Sequence, residues 1–297
     1  MNFLPGPIRG VIASLLMGLN ILAVSLPIFF FSLLKLIIPV PPWRRFCTVI
    51  LNNLVSLWTF VNGFLWAPRP KHIEWRLAAT DGLDLKSWYL VTSNHQSWSD
   101  IFIVQGVLNR RIPQLKFFLK QELIWIPIIG LCWWALDFPF MQRYSRSYLK
   151  KHPEKLGKDL ETTRRACAKC NDQPTSLFNF MEGTRFTPEK HRQQRSPYTH
   201  LLKPKVAGTG LVCDVMGEKL KTMVDITINY HGQTPTFWDF ACGRIKQTSI
   251  IIESVPIPEE LLGRDYATDS NFRKKLIRWV NSRWAIKDAL LDETGET

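Results

Sequence analysis

The stretch Asn94-His95-Gln96-Ser97-Trp98-Ser99-Asp100 separates two apolar runs of different character. Residues 88–93 before it form a short run that predicts a strand, and residues 101–108 after it form an apolar run compatible with a helix. The sequence therefore places a histidine where a strand ends and an aspartate where a helix begins. Such a junction is a common location for binding and catalytic residues in α/β folds.

The spacing of His95 and Asp100 leaves two interpretations open. Side chains five positions apart do not meet on a continuous helix, so these two meet only if a turn separates them. Ser97 and Asp100 fit a capping box, with Ser97 as the N-cap. Asp100 is then a helix cap worth about 1 kcal/mol, or a carboxylate that fixes the tautomer of a general base, His95. Spacing alone favours the cap.

Length and charge narrow the classes of partner. The chain has 297 residues, enough for a sizeable core and one or two domains, and a formal net charge of +13. This charge favours an anionic partner, which means nucleic acid, anionic lipid or a phosphorylated substrate. The 12 tryptophans are typical of a protein at a membrane interface, because the indole ring is apolar and carries one polar N–H group.

The six cysteines are scattered. Cys167 and Cys170 form a C-x-x-C pair within a charged, helix-like segment, but no second pair or histidine pair has the spacing of a zinc site. We interpret both as ordinary helix residues and expect no disulfides.

Two uncharged runs precede the rest of the chain. Residues 11–34 carry no charge over 24 positions, which is long enough to span a bilayer, and we interpret them as a retained anchor. Residues 46–68 are also uncharged but contain three asparagines. Basic residues flank both runs, a pattern that fits an interfacial hairpin at least as well as a spanning one. We assign residues 1–68 to membrane-associated helices and residues 69–297 to a second domain.

The second domain alternates predicted strands with predicted helices. The predicted strands are residues 74–78, 88–93, 114–119, 138–141, 175–181, 224–230 and 245–255. One predicted helix begins after residue 97 and ends at about residue 108, and the others cover residues 120–136, 155–170, 205–216 and 270–291. Residues 187–203 are predicted to be a loop. This alternation predicts an α/β domain with a largely parallel central sheet flanked by helices.

Two further predicted strands end in arginine. One strand leads to Arg143, and another leads to Glu182-Gly183-Thr184-Arg185. The carboxyl ends of parallel strands lie at one edge of a sheet, so both arginines are expected in one crevice with His95. Arginine suits bidentate phosphate binding, and the convergence predicts a phosphorylated substrate with a hydroxyl to activate. Either arginine alone would be interpreted as a surface charge.

These segments together resemble a known family. Residues 94–100 resemble the NHxxxxD motif of the PlsC-like glycerolipid acyltransferases, the 1-acyl-glycerol-3-phosphate acyltransferases. Residues 140–143 resemble the second block of this family, and residues 180–185 match its EGTR block. The resemblance covers about residues 70–255, and the chain is similar to a bacterial inner-membrane paralogue. It departs from the family at Met181, where proline is frequent, and at residues 224–228, which lack proline.

The resemblance implies a reaction and a role for each residue. His95 acts as general base on the free hydroxyl of a lysophospholipid, with 1-acyl-glycerol-3-phosphate as the leading candidate, and Asp100 orients it. The hydroxyl attacks an acyl thioester, and N–H groups of residues 97–100 help to hold the oxyanion. The implied substrate-binding residues are Arg143 and Arg185 for the phosphate, Glu182 to position Arg185 or a glycerol hydroxyl, the adjoining Gly183 and Thr184, and Lys120 and Lys205 as further phosphate contacts.

The same resemblance implies the partners and the location. The co-substrate is acyl-CoA or acyl carrier protein, the other partners are membrane phospholipids and the lysophospholipid, and no bound cofactor, metal or nucleic acid is expected. The expected location is the cell inner membrane, with the acyltransferase domain of residues 69–297 on the cytoplasmic face.

Two other functions remain open. A lipid hydrolase or thioesterase would use His95 with a nearby serine such as Ser93, Ser97 or Ser99, although the chain has no G-x-S-x-G motif. A non-enzymatic protein that binds anionic lipid would also carry this charge, and its function would not depend on His95.

Overall fold

The computed structural model describes residues 4–66, 73–78, 82–141, 152, 161, 164–165, 167–168, 170, 172–245 and 247–295. The chain begins with two long helices, α1 (Gly6–Ile37) and α2 (Pro41–Trp66). Both are long and apolar enough to cross a membrane by length and composition. The predicted domain boundary at residues 68 and 69 lies outside the described residues.

A six-stranded sheet forms the centre of the second domain. Its strands are β1 (Ile73–Ala78), β2 (Trp88–Ser93), β3 (Leu115–Phe117), β6 (Ser176–Phe180), β7 (Leu220–Tyr230) and β8 (Thr248–Pro256). The strand order is β1-β8-β7-β2-β6-β3, and every neighbouring pair is parallel except β7 and β8. Two short strands, β4 (Leu119–Lys120) and β5 (Phe140–Met141), pair in parallel beside it. The predicted α/β fold with a largely parallel sheet is confirmed.

Helices cover both faces of this sheet. The helices of this domain within the described residues include α3 (Ser99–Leu108), α4 (Ile129–Ala135), α5 (Pro188–Gln194), α6 (Ala207–Met216), α7 (Phe237–Ala241) and α8 (Ser270–Gly295), of which α3, α6, α7 and α8 contribute side chains to the clusters on the sheet. Successive side chains of a strand point to opposite faces, so β2 contributes Tyr89 and Val91 to one hydrophobic cluster and Leu90 to the other. The first cluster includes residues of α3, and the second includes residues of α6 and α8.

Three predicted segments differ in the structure. The predicted strand 114–119 is divided between β3 and β4, which belong to different sheets. The predicted helix 120–136 is broken into a 3₁₀ turn (Gln121–Trp125) and α4, because Pro127 has no N–H group and Ile128 has a φ of 66°. The predicted loop 187–203 contains α5. Its N-cap, Thr187, accepts a hydrogen bond from Lys190 N, and Pro188 occupies the first helical position, which is a local start signal that the loop prediction overlooked.

The predicted helix 155–170 lies mostly outside the described residues. Its described members Glu161, Arg164, Arg165 and Cys167 are helical. Cys167 and Cys170 are buried in one hydrophobic cluster with Cys213, and burial raises the pKa of the Cys167 thiol. Buried thiols behave as small apolar side chains, so Cys167 and Cys170, which were predicted to be ordinary helix residues, are core residues.

Helix α1 packs along the second domain over most of its length. Near its start, Gly10 lies against the side chains of Trp238 and Cys242. Near its end, Lys35 forms an ion pair of 2.7 Å with Asp137. The interval from residue 10 to residue 35 corresponds to about 37 Å of helix. The hairpin of α1 and α2 is therefore docked on the α/β domain rather than projecting from it.

The opposite face of α1 is apolar and exposed. Its exposed large apolar side chains include Leu15, Leu19, Leu22, Leu26, Phe30 and Leu33. At 100° per residue these positions fall within an arc of about 80°, so they form one continuous stripe. We call these six residues the outer stripe of α1.

Candidate active site

The turn between β2 and α3 is fixed to the neighbouring strand by an asparagine. Asn94 is fully buried, and its side-chain amide donates to the carbonyl oxygen of Ile228 at 2.8 Å. Its amide oxygen accepts from the N–H of the same residue at 2.9 Å. These two hydrogen bonds pair the backbone N–H and C=O groups of Ile228 on β7, and they set the direction in which the chain leaves β2.

The turn brings His95 and Asp100 together. His95 Nδ1 lies 2.9 Å from Asp100 Oδ2, and the Asp100 side chain is fully buried while the His95 side chain remains 13% exposed. A carboxylate accepts hydrogen bonds, so Nδ1 carries the hydrogen and Nε2 keeps its lone pair. The ring of His95 also stacks on Phe180, with centroids 3.8 Å apart. The arrangement presents one basic nitrogen of an oriented imidazole.

Asp100 has both of the roles that its spacing allowed, but the predicted capping box is wrong. Its Oδ2 atom accepts from the N–H groups of Gln96 at 2.7 Å and Ser97 at 2.9 Å, besides facing His95. The helix begins at Ser99 rather than after Ser97, and its N-cap, Trp98, makes no side-chain capping bond. The carboxylate therefore caps the turn before the helix and orients the imidazole.

The N–H groups at this helix start are largely occupied. Ser97 N donates to Asp100, Ser99 N donates to Ser97 Oγ at 3.1 Å, and Asp100 N donates to Ser97 O at 3.3 Å. The expectation that residues 97–100 supply oxyanion donors is therefore wrong for these three groups, because the turn that positions Asp100 uses them.

Tyr230 completes the surroundings of Asp100 and was missed by the sequence analysis. Its hydroxyl donates to Asp100 Oδ1 at 2.6 Å. Burial and the adjacent Asp100 carboxylate raise the pKa of Tyr230 well above its ordinary value, so the hydroxyl remains a donor. Tyr230 is the last residue of β7, and only the pairing of β7 with β2 brings it to the turn.

Glu182 holds the backbone of His95. Its Oε1 atom accepts from His95 N at 2.8 Å, and its Oε2 atom accepts from Leu202 N at 3.2 Å. Phe186 N in turn donates to His95 O at 2.7 Å. Glu182 is fully buried, and burial raises its pKa to about 8. Among the described residues no hydrogen bond or ion pair joins Glu182 to Arg185, and the role of Glu182 towards a glycerol hydroxyl stays a prediction.

The residues after Glu182 gather two lysines. Gly183 has a φ of 66°, and a Cβ atom there would lie 3.0 Å from Lys205 Nζ, so Lys205 crosses directly over the glycine. Thr184 Oγ1 accepts from Lys190 Nζ at 2.8 Å. The structure thus brings Lys205 to the glycine turn, and it adds Lys190, which the sequence analysis did not identify.

Arg185 lies beside the turn of residues 94–100, which carries His95 and Asp100. Its guanidinium sits over the ring of Trp98, 5.2 Å from the ring centroid, and its side chain is exposed. Arg185 forms no ion pair with another residue of the described ranges. An exposed guanidinium held near His95 by an indole ring is available to an anionic ligand.

The other two predicted phosphate ligands are Arg143 and Lys120. Arg143 lies outside the described residues. Lys120 is exposed on β4, opposite Met141 of β5, and its side chain makes no hydrogen bond or ion pair within the described part of the chain. No described contact joins Lys120 to the His95 group. Among the described residues no group of three or more His, Cys, Asp or Glu side chains could hold a metal ion.

Comparison with known proteins finds similarity over the region that contains this site. A family model described as "Acyltransferase" matches residues 76–206. The chain is 24% identical over 222 residues to "1-acyl-sn-glycerol-3-phosphate acyltransferase delta" of Bos taurus, covering 70% of this chain and 53% of that protein. It is 24% identical over 187 residues to the gamma protein of Homo sapiens, covering 59% and 44%. The chain spans about half the length of these relatives.

A solved structure is also similar. The 1-acyl-sn-glycerophosphate (LPA) acyltransferase PlsC of Thermotoga maritima aligns with a TM-score of 0.46 at 17% identity, covering 91% of this chain and 97% of that chain. The matched family model includes the His95 turn, residues 182–185 and Lys205. The chain is thus similar, over residues 76–206, to the acyltransferases that this family model describes, and the relatives named above are 1-acyl-sn-glycerol-3-phosphate acyltransferases by name.

Proposed function

We propose that this protein transfers a fatty acyl group from an acyl thioester to the free hydroxyl of a lysophospholipid. The observation that carries the proposal is the geometry of His95, whose Nδ1 faces buried Asp100 while its ring keeps an exposed edge. We assign 1-acyl-glycerol-3-phosphate as the acceptor, because Arg185 provides a phosphate ligand beside the base and the named relatives act on this compound.

The reaction follows from this arrangement in two proton transfers. His95 Nε2 takes the proton of the acceptor hydroxyl as the oxygen attacks the thioester carbonyl carbon. The new C–O bond forms, the C–S bond breaks, and the leaving thiolate receives the proton from the imidazolium. Asp100 stabilises the imidazolium, and the four hydrogen bonds that Asp100 accepts keep its carboxylate in place. The donor is acyl-CoA or acyl carrier protein.

The acceptor phosphate lies against the exposed cations of this edge in our proposal. Arg185 beside Trp98 and Lys205 above Gly183 are the described members of this group. Arg143 and Lys120 are assigned to it from the sequence motif. Glu182, Tyr230 and Asn94 act as positioning residues, because each contacts the turn rather than the open side of His95.

The hairpin holds this site at a membrane surface. A helix that packs along the α/β domain from Gly10 to Lys35 cannot cross a bilayer while the domain stays in water. We therefore propose that α1 and α2 lie in the interface, with the outer stripe of α1 towards the lipid. The inner membrane, with the domain on its cytoplasmic face, is the location at which the acyl donor and the lysophospholipid meet.

The geometry opposes a serine hydrolase. Ser93 Oγ donates to Asn94 O at 2.9 Å, and Ser97 Oγ donates to Pro235 O at 2.6 Å. Neither these hydroxyls nor that of Ser99 is hydrogen-bonded to His95 among the described residues. A serine nucleophile needs its base within hydrogen-bond reach.

The proposal is tested by thioester consumption in detergent-solubilised protein. With acyl-CoA as donor, consumption should require 1-acyl-glycerol-3-phosphate, and His95→Ala should lower it by about 10³-fold or more. His200→Ala is the matched control, since His200 is exposed and pairs with Asp292 on α8. Consumption that is independent of the acceptor, or equal in wild type and His95→Ala, would contradict the proposal.

A further inference from the structure

A second polar cavity lies at the far end of the sheet from His95. It has a volume of about 390 Å³ and lies under the elbow between α1 and α2, lined by Lys35, Arg44, Arg45, Lys116, Asp137 and Asp172, among others. Lys116 pairs with Leu177, which is three residues before Phe180, the residue that stacks on His95. Three strand residues span about 10 Å, so this cavity is separate from the catalytic turn.

Lys116 is the unusual member of this cavity. It stands on β3 between Leu115 and Phe117, whose side chains enter the hydrophobic core on the other face of the sheet. Lys116 is only 7% exposed, yet it makes no hydrogen bond or ion pair with any residue in the described ranges. Its ammonium group is not one of the fully buried polar atoms, so it reaches the cavity that Lys116 lines. An anion bound in the cavity would give this ammonium the partner that the protein does not supply.

The other residues that line this cavity also favour an anion. Lys35 is neutralised by Asp137 at 2.7 Å. Arg44, Arg45 and Lys116 then face the single carboxylate of Asp172, which leaves an excess of positive charge. Both arginines lie within the first five residues of α2, near the positive end of the helix, which favours anions. The planar arginine side chains suit the tetrahedral oxygens of a phosphate group.

We propose that this cavity binds the phosphate of an anionic phospholipid headgroup, separately from the acceptor phosphate near His95. The lipid source rests on the proposed function, because an interfacial hairpin places its elbow among headgroups. The elbow is anchored to the α/β domain beside the cavity, where Gln173 Nε2 donates to Arg45 O. Bound lipid therefore clamps the hairpin to the domain at the end opposite Gly10. Inorganic phosphate offers the same chemistry from solution.

The test is the thermal stability of the full-length protein in dodecyl maltoside micelles. A ligand that binds only the folded state raises Tm, by about 5 °C here at a concentration near 100 times Kd. Dioctanoyl phosphatidylglycerol should give this shift, whereas dioctanoyl phosphatidylcholine and inorganic phosphate should give little. An equal shift with phosphatidylcholine, or the whole shift with inorganic phosphate alone, would overturn the lipid assignment.

Variants test whether the lipid-dependent rise in Tm comes from this cavity. Lys116→Met keeps the length of the side chain without its charge, so it should fold with at least the wild-type Tm and lose the lipid-dependent shift. Lys274→Met, at an exposed position of α8, is the control and should keep the shift. Arg45→Gln, also exposed, is a second variant that should weaken it. A full shift in Lys116→Met would place the lipid elsewhere, and His95→Ala should retain the shift whether or not the proposed reaction holds.

Discussion

The turn of residues 94–100 and the helical hairpin both depart from the usual rule that polar side chains are exposed and apolar side chains are buried, each in the opposite sense. In the turn, Asn94, Ser97 and Asp100 are polar and almost fully buried. In the hairpin, Leu15 and Leu26 are apolar and more than half exposed, at 64% and 72%. Buried polar groups require partners, and exposed apolar stripes require a surface other than water.

The two regions differ in where those partners come from. Every hydrogen bond that Asp100 accepts comes from this chain, from His95, Gln96, Ser97 and Tyr230. The outer stripe of α1 has no such cover from the described residues. The turn is therefore complete in the folded chain, whereas the hairpin is completed by a lipid surface in our proposal. Substitutions in one region should leave the property of the other unchanged.

The largest effect is expected within the turn. Asp100→Asn should keep the fold but lower kcat by about 10³-fold, because the amide cannot stabilise the imidazolium as a carboxylate does. Tyr230→Phe removes one hydrogen bond to the other carboxylate oxygen and should lower kcat only about 10-fold. Steady-state rates with acyl-CoA and 1-acyl-glycerol-3-phosphate measure both, with Tm as the check on folding. Equal losses in the two variants would show that Asp100 acts mainly as a cap. Neither variant should change membrane binding.

An intermediate effect is expected in the hairpin. The triple variant Leu15→Ser, Leu19→Ser and Leu26→Ser should lower partitioning to vesicles by on the order of 10²-fold, because three buried leucine side chains lose their contact with lipid. Activity in detergent micelles should stay within about twofold of wild type. Leu85→Ser is the matched control, since Leu85 is an exposed leucine of the α/β domain. Vesicle binding that is unaffected by the triple variant would exclude the outer stripe as the lipid-facing surface.

A third effect concerns the pH dependence of stability and is smallest per pH unit. The buried Glu182 has a pKa of about 8 against an ordinary value of 4.5, so the folded state retains a proton that the unfolded state loses. Between these two values the free energy of unfolding should fall as pH rises, by up to about 1.4 kcal/mol per pH unit from this group. Urea unfolding from pH 5 to pH 8 measures the slope, and Glu182→Gln should reduce it. An unchanged slope in this variant would assign the pH dependence to other groups.

Local patterns were sufficient for much of the fold and for part of the site. The strands that lead to His95 and Glu182 were predicted close to their observed bounds, because each is a short apolar run that ends in a polar turn. The position of His95 after a strand and of Asp100 near a helix start needed no distant contact. The local errors, the unbroken helix 120–136 and the missed helix α5, came from underweighting proline at Pro127 and Pro188.

The residues that hydrogen-bond to His95 and Asp100 from distant parts of the chain could not be predicted from local sequence patterns. Tyr230 stands 130 residues after Asp100, and nothing in its neighbourhood marks it as a ligand of that carboxylate. Glu182 was recognised from a motif, but its support of the His95 peptide depends on how β6 lies beside β2. In the sequence Lys116 is not distinguished from the other basic residues, and only its burial in the structure sets it apart.

The amino-acid sequence by itself determined the class of fold, the motif residues and the apolar character of the hairpin, because these depend on the order and periodicity of neighbouring residues. Tertiary structure decided which groups satisfy Asp100, which N–H groups are already occupied and where Lys116 is buried. The physical reason is that a hydrogen bond or a buried charge is defined by atoms that meet in space. Pairing of strands far apart in the chain brings those atoms together.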